Sequence, residues 1–135
     1  MSIVQSIRPQ SVLLEKEVTL GGTSGTTVGI AVPAGAVVIA AGFQNYTAVP
    51  TVTTYTANIT DGTTVFASAL DFNSAAARTI KAGYTPGLIP AADTIDVVTT
   101  ISGTPGTLTG RVWALVVDVN QGTRTAASVD REQLA

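Results

Sequence analysis

Few residues in this chain could do chemistry. Its 135 residues include no histidine and no cysteine. Imidazole is the usual general base near neutral pH, so Ser–His and Cys–His nucleophilic pairs are impossible and the common zinc sites lack their ligands. Without thiols there is no disulfide framework and no thiolate redox centre. Carboxylates remain. Glu15 and Glu17 stand two apart in SVLLEKEVTL, which places both on one strand face. That spacing could serve an acid/base pair, but it suits a solvated strand face far better. Asp93 and Asp96 flank the start of another extended segment, where carboxylates commonly close turns, and their spacing is not that of a calcium loop.

Other short patterns have bland explanations. GGTSGTT at 21–27 has the glycines of a phosphate loop but no lysine. A strand follows it, so no helix N-terminus would face an anion. Asn45-Tyr46-Thr47 and Asn58-Ile59-Thr60 match the glycosylation acceptor pattern, and Asn58 adjoins a tight turn that accounts for it. Tyr46, Tyr55 and Tyr84 could stack on sugars; with one tryptophan and three tyrosines in all, a core role fits better. The reading is of a non-enzymatic protein with no cofactor and no metal.

The elements that would position these residues are extended. Hydrophobic residues make up 45% of the chain, but charged residues only 12%, about half the usual share. Threonine (22 residues), alanine, valine and 13 glycines fill the gap. β-Branched side chains are stiff in helices and pack well on a pleated surface. A surface so short of charge points to contacts with other chains. The net charge of −2, with seven basic residues scattered from Arg8 to Arg131, argues against nucleic acid as a partner.

Residues 28–43, VGIAVPAGAVVIAAGF, carry no charge, amide or hydroxyl. Pro33 and Gly35 break this run in the middle, so it is not a membrane helix, and 27 residues including Glu15, Lys16 and Glu17 precede it, so it is not a secretion signal. It reads as strand, tight connection, strand, with both faces of each strand covered. Thr53–Thr60 alternates and runs into Asp61-Gly62, a two-residue hairpin signal that would set Phe66 opposite Ala57. Residues 71–92 form a long crossover with a short strand near Thr79–Lys81 and room for one helical turn in SAAAR. Thr94–Ile101 alternates with Ile95, Val97 and Ile101 inward. Leu108–Val119 is apolar on both faces: Trp113, Leu115, Val117 and Val119 on one, Val112, Ala114 and Val116 on the other.

Seven or eight such strands predict an all-β, antiparallel two-sheet sandwich of jelly-roll type, with an immunoglobulin-like sandwich as the rival. It would occupy residues 11–120, between N- and C-terminal arms at 1–10 and 121–135. VGIAVPAGAVVIAAGF, DGTTVFASAL (61–70) and AADTIDVVTTISGTPGTLTGRVWALVVDV (91–119) together resemble small virion proteins of tailed bacteriophages, the head decoration or cement group. The similarity spans about 90 residues, from Val28 to Val119. It implies a virion jelly roll, and domains of this kind occur both in decoration proteins and in fibre or knob heads. The expectation that follows is a decoration protein on the outer surface of the capsid, bound to the major capsid protein and to itself as a homotrimer, with no nucleic acid and no membrane involved. The alternative is a fibre or knob module recognising host glycan. Ile3, Val4, Ile7 and Arg8 in the first arm, and Arg124, Arg131 and Leu134 in the last, are the candidate capsid or neighbour contacts. Val112, Ala114 and Val116 are the candidate subunit-packing residues.

Overall fold

The computed structural model describes residues 11–118; Val119 and both arms lie outside that range. Among the described residues nine strands divide between two antiparallel sheets: β1 (Ser11–Leu20), β2 (Gly25–Val32), β3 (Ala36–Asn45), β4 (Thr54–Thr60), β5 (Val65–Asp71), β6 (Ile80–Gly83), β7 (Gly87–Leu88), β8 (Asp93–Ser102) and β9 (Leu108–Asp118). The five-stranded sheet has the order β1-β9-β3-β6, with β7 also paired to β3, and the four-stranded sheet has the order β2-β8-β4-β5. β6 lies against Ala41–Gln44 and β7 against Val37–Val38 on the same edge of β3. Counted as one strand interrupted at Tyr84–Pro86, they complete the eight-strand order of a jelly roll. No helix forms among the described residues, and the SAAAR stretch is turns.

The core lies between the sheets. Phe43 and Phe72 meet edge to face at 5.5 Å. Tyr55, Phe66, Ile59, Ile89, Ile95 and Val97 fill the remainder, each burial contributing about 1.5–3 kcal/mol. In β9 the inward residues are Val112, Ala114 and Val116, at 0%, 0% and 3% exposure.

The uncharged run is strand, tight connection, strand as expected, and Pro33–Gly35 carries the chain from one sheet to the other. Gly35 has a φ of 84° there and its N–H donates to the Ile89 carbonyl at 2.6 Å. The expectation that both faces of each strand are covered needs correcting: β9 and the β6–β7 pair flank the edges of β3, its inward face is core, and its outward face faces solvent, where Ile39 is exposed. β2 is an edge strand whose register against β8 shifts between Thr27 and Ile30. That bulge leaves Val28 exposed.

The hairpin at Asp61-Gly62 exists with a longer loop. Thr60 pairs with Val65, so four residues turn the chain, and Leu70 rather than Phe66 stands opposite Ala57. The cause is the Asp61 carboxylate, whose Oδ1 accepts from the Thr63 and Thr64 N–H groups at 2.9 and 2.7 Å. The Thr60 hydroxyl accepts from Gly62 and donates to the Thr64 carbonyl. Self-contained side-chain bonding of this kind competes with a two-residue turn.

Candidate interaction surface

The two sheets present different outer faces to solvent. On the four-stranded sheet the outward residues include Thr94, Asp96, Val98 and Thr100 from β8, Thr54, Thr56 and Asn58 from β4, and Thr26, Val28 and Ala31 from β2, a mostly polar surface with two valines. The five-stranded sheet is the opposite. Residues in register share a side, and because Val112, Ala114 and Val116 point inward, their neighbours point out. Three successive rows result. Val117, Val37 and Leu88 form the first; Leu13, Leu115 and Ala40 the second; Trp113 and Gly42, with Glu15 and Ala82 at its ends, the third. Ile39, the extra residue where the β3–β9 register shifts between Val38 and Ala40, adds to them. Leu13, Ile80 and Leu88 are 58%, 61% and 53% exposed.

A polar row closes the apolar area. The Arg111 guanidinium donates to Glu15 Oε2 at 3.0 Å and to Gln44 Oε1 at 2.9 Å. Both ends of the ion pair are more than one-third exposed, so it adds less than about 1 kcal/mol and serves mainly to fix the guanidinium beside Trp113. Leu13, Glu15, Gln44, Ile80, Arg111 and Trp113 together line a shallow concavity of about 360 Å³. Trp113 can lie flat because Gly42 faces it: a Cβ there would sit 2.7–2.8 Å from the indole and collide with the Lys81 carbonyl. A smaller hollow of about 140 Å³ opens on the opposite, inward side of the sheet, between Val12, Leu14, Pro33 and Val116.

The carboxylate pairs do not form a catalytic cluster. Glu15 is engaged with Arg111, and Glu17 has no hydrogen bond or ion pair among the described residues. Asp93 accepts from the Thr94 N–H, while Asp96 accepts from the Gly29 N–H within the β2 bulge. No group of three or more His, Cys, Asp or Glu side chains that could hold a metal occurs among the described residues. Nor is any helix there long and apolar enough to cross a membrane.

The tyrosines are dispersed. Tyr55 is in the core, its hydroxyl without a hydrogen-bond partner, and burial pushes its pKa up. Tyr46 lies under the Arg78 guanidinium, 4.5 Å from the ring centroid, and Tyr84 projects from the β6–β7 interruption. Asn45 is fully buried, which denies its side chain to a glycan. Its Nδ2 donates to the Thr47 and Ala76 carbonyls at 2.6 and 2.9 Å, and its Oδ1 accepts from the Thr79 N–H at 3.0 Å.

Of the residues singled out in the sequence, Ile3, Val4, Ile7, Arg8, Arg124, Arg131 and Leu134 lie outside the described residues. Val112, Ala114 and Val116 belong to the sandwich core, which leaves them no surface for a second subunit, and the assignment of the two β9 faces is reversed. The sequence displayed both faces as apolar, and nothing in it said which one the other sheet would cover. No local pattern marks Leu13 or Ile80: one lies inside the apolar run Val12–Leu14 and the other between Thr79 and Lys81, and the two meet at one concavity only through strand pairing.

No protein-family model matches the chain, and no curated protein matches it. Solved structures do. A chain of the structure "Cyanophage Pam1 capsid asymmetric unit" superposes with a TM-score of 0.66 at 16% identity, covering 87% of this chain and 91% of that one. A chain of the "Acidic stable capsid structure of Helicobacter pylori bacteriophage KHP30" superposes with a TM-score of 0.51 at 14% identity, covering 80% and 93%. Near-complete coverage on both sides means that the chains compared are of similar length, and at these identities what they share is the fold.

Proposed function

We propose that this chain is a structural protein of a bacteriophage virion, a decoration or cement protein that sits on the outer surface of the head and bridges capsomers of the major capsid protein. The observation that carries the reading is the apolar outer face of the five-stranded sheet, set against a polar outer face on the other sheet. A body with one wet and one dry side is built to lie against protein. The shared fold and similar length of chains from two phage capsids support the same setting. A shell-forming role fits poorly, because the usual tailed-phage shell fold is larger and partly helical.

The mechanism is mechanical. A shell pressed from within by packaged genome opens at the gaps between capsomers. A homotrimer seated over such a gap, with the arms (Ile3, Val4, Ile7 and Arg8; Arg124, Arg131 and Leu134) reaching neighbouring subunits, holds them through many weak contacts acting at high effective concentration. The test is to image particles of the parent phage with and without this protein. Added density on the outer surface of complete heads, together with greater resistance to heat or chelator, is the expected result. Particles identical in both samples overturn the reading.

A further inference from the structure

The outer face of the five-stranded sheet needs an occupant, and its dimensions discriminate among candidates. Four strand columns and three apolar rows measure about 19 by 20 Å, or roughly 400 Å². Two copies pressed face to face over this area alone would bury about 800 Å² in total, which falls short of the 1,200–2,000 Å² of a specific interface. An extended peptide suits it better. Six or seven extended residues span about 20 Å.

The chain supplies such a peptide. Residues 1–10 read MSIVQSIRPQ, and they join β1 at Ser11, which pairs with Val117 at the margin of the first apolar row. Ile3 and Ile7 are four residues apart, so in extended backbone they share one side about 13 Å apart. Trp113 and Val117 are also four apart on β9 and face outward together, presenting two footholds at the same interval. Pro9 disfavours helical backbone at Arg8, and a segment continuing extended from β1 would run past the end of the sheet rather than back across its own face.

We infer that the outer face of the five-stranded sheet is the docking site for residues 1–10 of a second copy of this chain, with Ile3 and Ile7 seated over the Trp113–Val117 strip. Two copies that exchange arms cover two such faces and not one, which brings the buried area to about 1,600 Å² in total, and assembly occurs in solution without a shell. The inference rests on the virion reading only in supposing that the chain works in several copies, and it assigns Ile3 and Ile7 to a neighbouring copy of this chain, leaving contact with the shell to the other arm.

Trp113 is the sole tryptophan, so its fluorescence reports on this face alone, and the absence of cysteine leaves engineered thiols unambiguous. Two single variants, Ile3→Cys and Leu13→Cys, are made in the full chain, one carrying a mass tag, then mixed and oxidised. A disulfide joining the two different chains, located by mass spectrometry, is expected. The pair Ile3→Asp/Ile7→Asp should weaken self-association at least about tenfold and shift Trp113 emission to the red, with the far-ultraviolet dichroism of the sandwich unchanged. A double Ile3→Cys/Leu13→Cys chain that closes only on itself overturns the inference in favour of the chain's own arm. A monomer at micromolar concentration, or an oligomer without the cross-link, also overturns it. None of those results bears on shell binding, which a monomer could still show.

Discussion

Replacing Asn45 by alanine should be among the most damaging single changes outside the apolar core. The side chain is fully buried at the end of β3 and ties the β5–β6 crossover to the sheet with two hydrogen bonds, to Ala76 and Thr79, and the β3–β4 loop with a third, to Thr47. The backbone repeats the link: the Asn45 N–H donates to the Thr79 carbonyl and the Arg78 N–H to the Asn45 carbonyl, at 3.3 and 2.9 Å. Each side-chain bond contributes about 1 kcal/mol net, and their loss leaves the Thr47 carbonyl and the Thr79 N–H without a partner, while the Ala76 carbonyl keeps the Thr79 hydroxyl. Allowing for some entry of water, the cost is about 3–4 kcal/mol, a large part of the 5–15 kcal/mol available to a domain. The melting temperature should fall by about 10–15 °C. Urea unfolding measures the change, with Asn58→Ala as the control, since half-buried Asn58 accepts only from the Ala69 N–H and should cost about 1 kcal/mol. A loss below about 1 kcal/mol for Asn45→Ala, or equal losses for the two variants, would refute the argument that buried satisfaction and not mere hydrogen bonding sets the cost.

Other outcomes can be stated more briefly. Gly42→Ala should destabilise by about 1–3 kcal/mol and alter Trp113 emission, because the new methyl meets the Lys81 carbonyl and the indole; unchanged emission would contradict the stacking. Tyr55→Phe should be neutral or slightly stabilising at pH 7, since it removes a buried hydroxyl that has no partner. Burial raises the Tyr55 pKa in the folded state, so the stability tied to its neutral form is complete below the unfolded value of about 10 and is lost as pH rises through the folded one. The phenylalanine variant should therefore resist alkaline unfolding better than the parent in a pH titration of stability. Arg111→Gln should change stability by less than about 1 kcal/mol, and by less still in high salt, because its ion pair with Glu15 is exposed.

What the sequence disclosed and what it withheld follow from the range of the interactions. Ile95 and Val97 could be assigned inward because alternation is local and threonine marks the wet face. Both faces of β9 were apolar, so local pattern left two choices, and only the arrival of the other sheet on the Val112 side settles them. Asp61-Gly62 announced a turn, but the loop length depended on where the Asp61 carboxylate would find its donors. Val28 looked like core until the bulge at β2 turned it outward. The concavity around Trp113 was illegible for the same reason: its walls come from β1, β3, β6 and β9, brought together by pairings across as many as 98 positions between Glu15 and Trp113.

The strand order also governs how the molecule comes into being. β9, the latest of the nine strands in the sequence, lies between β1 and β3, and Leu20 must wait for Leu108 as its partner. During synthesis the two earlier strands stand with unpaired backbone edges until it arrives. Contacts of such long sequence separation make acquisition of the native state slow, and the waiting edges are open to capture by other nascent chains. Removing residues 108–118 would thus take away more than one strand: it would leave the five-stranded sheet with no strand joining β1 to β3.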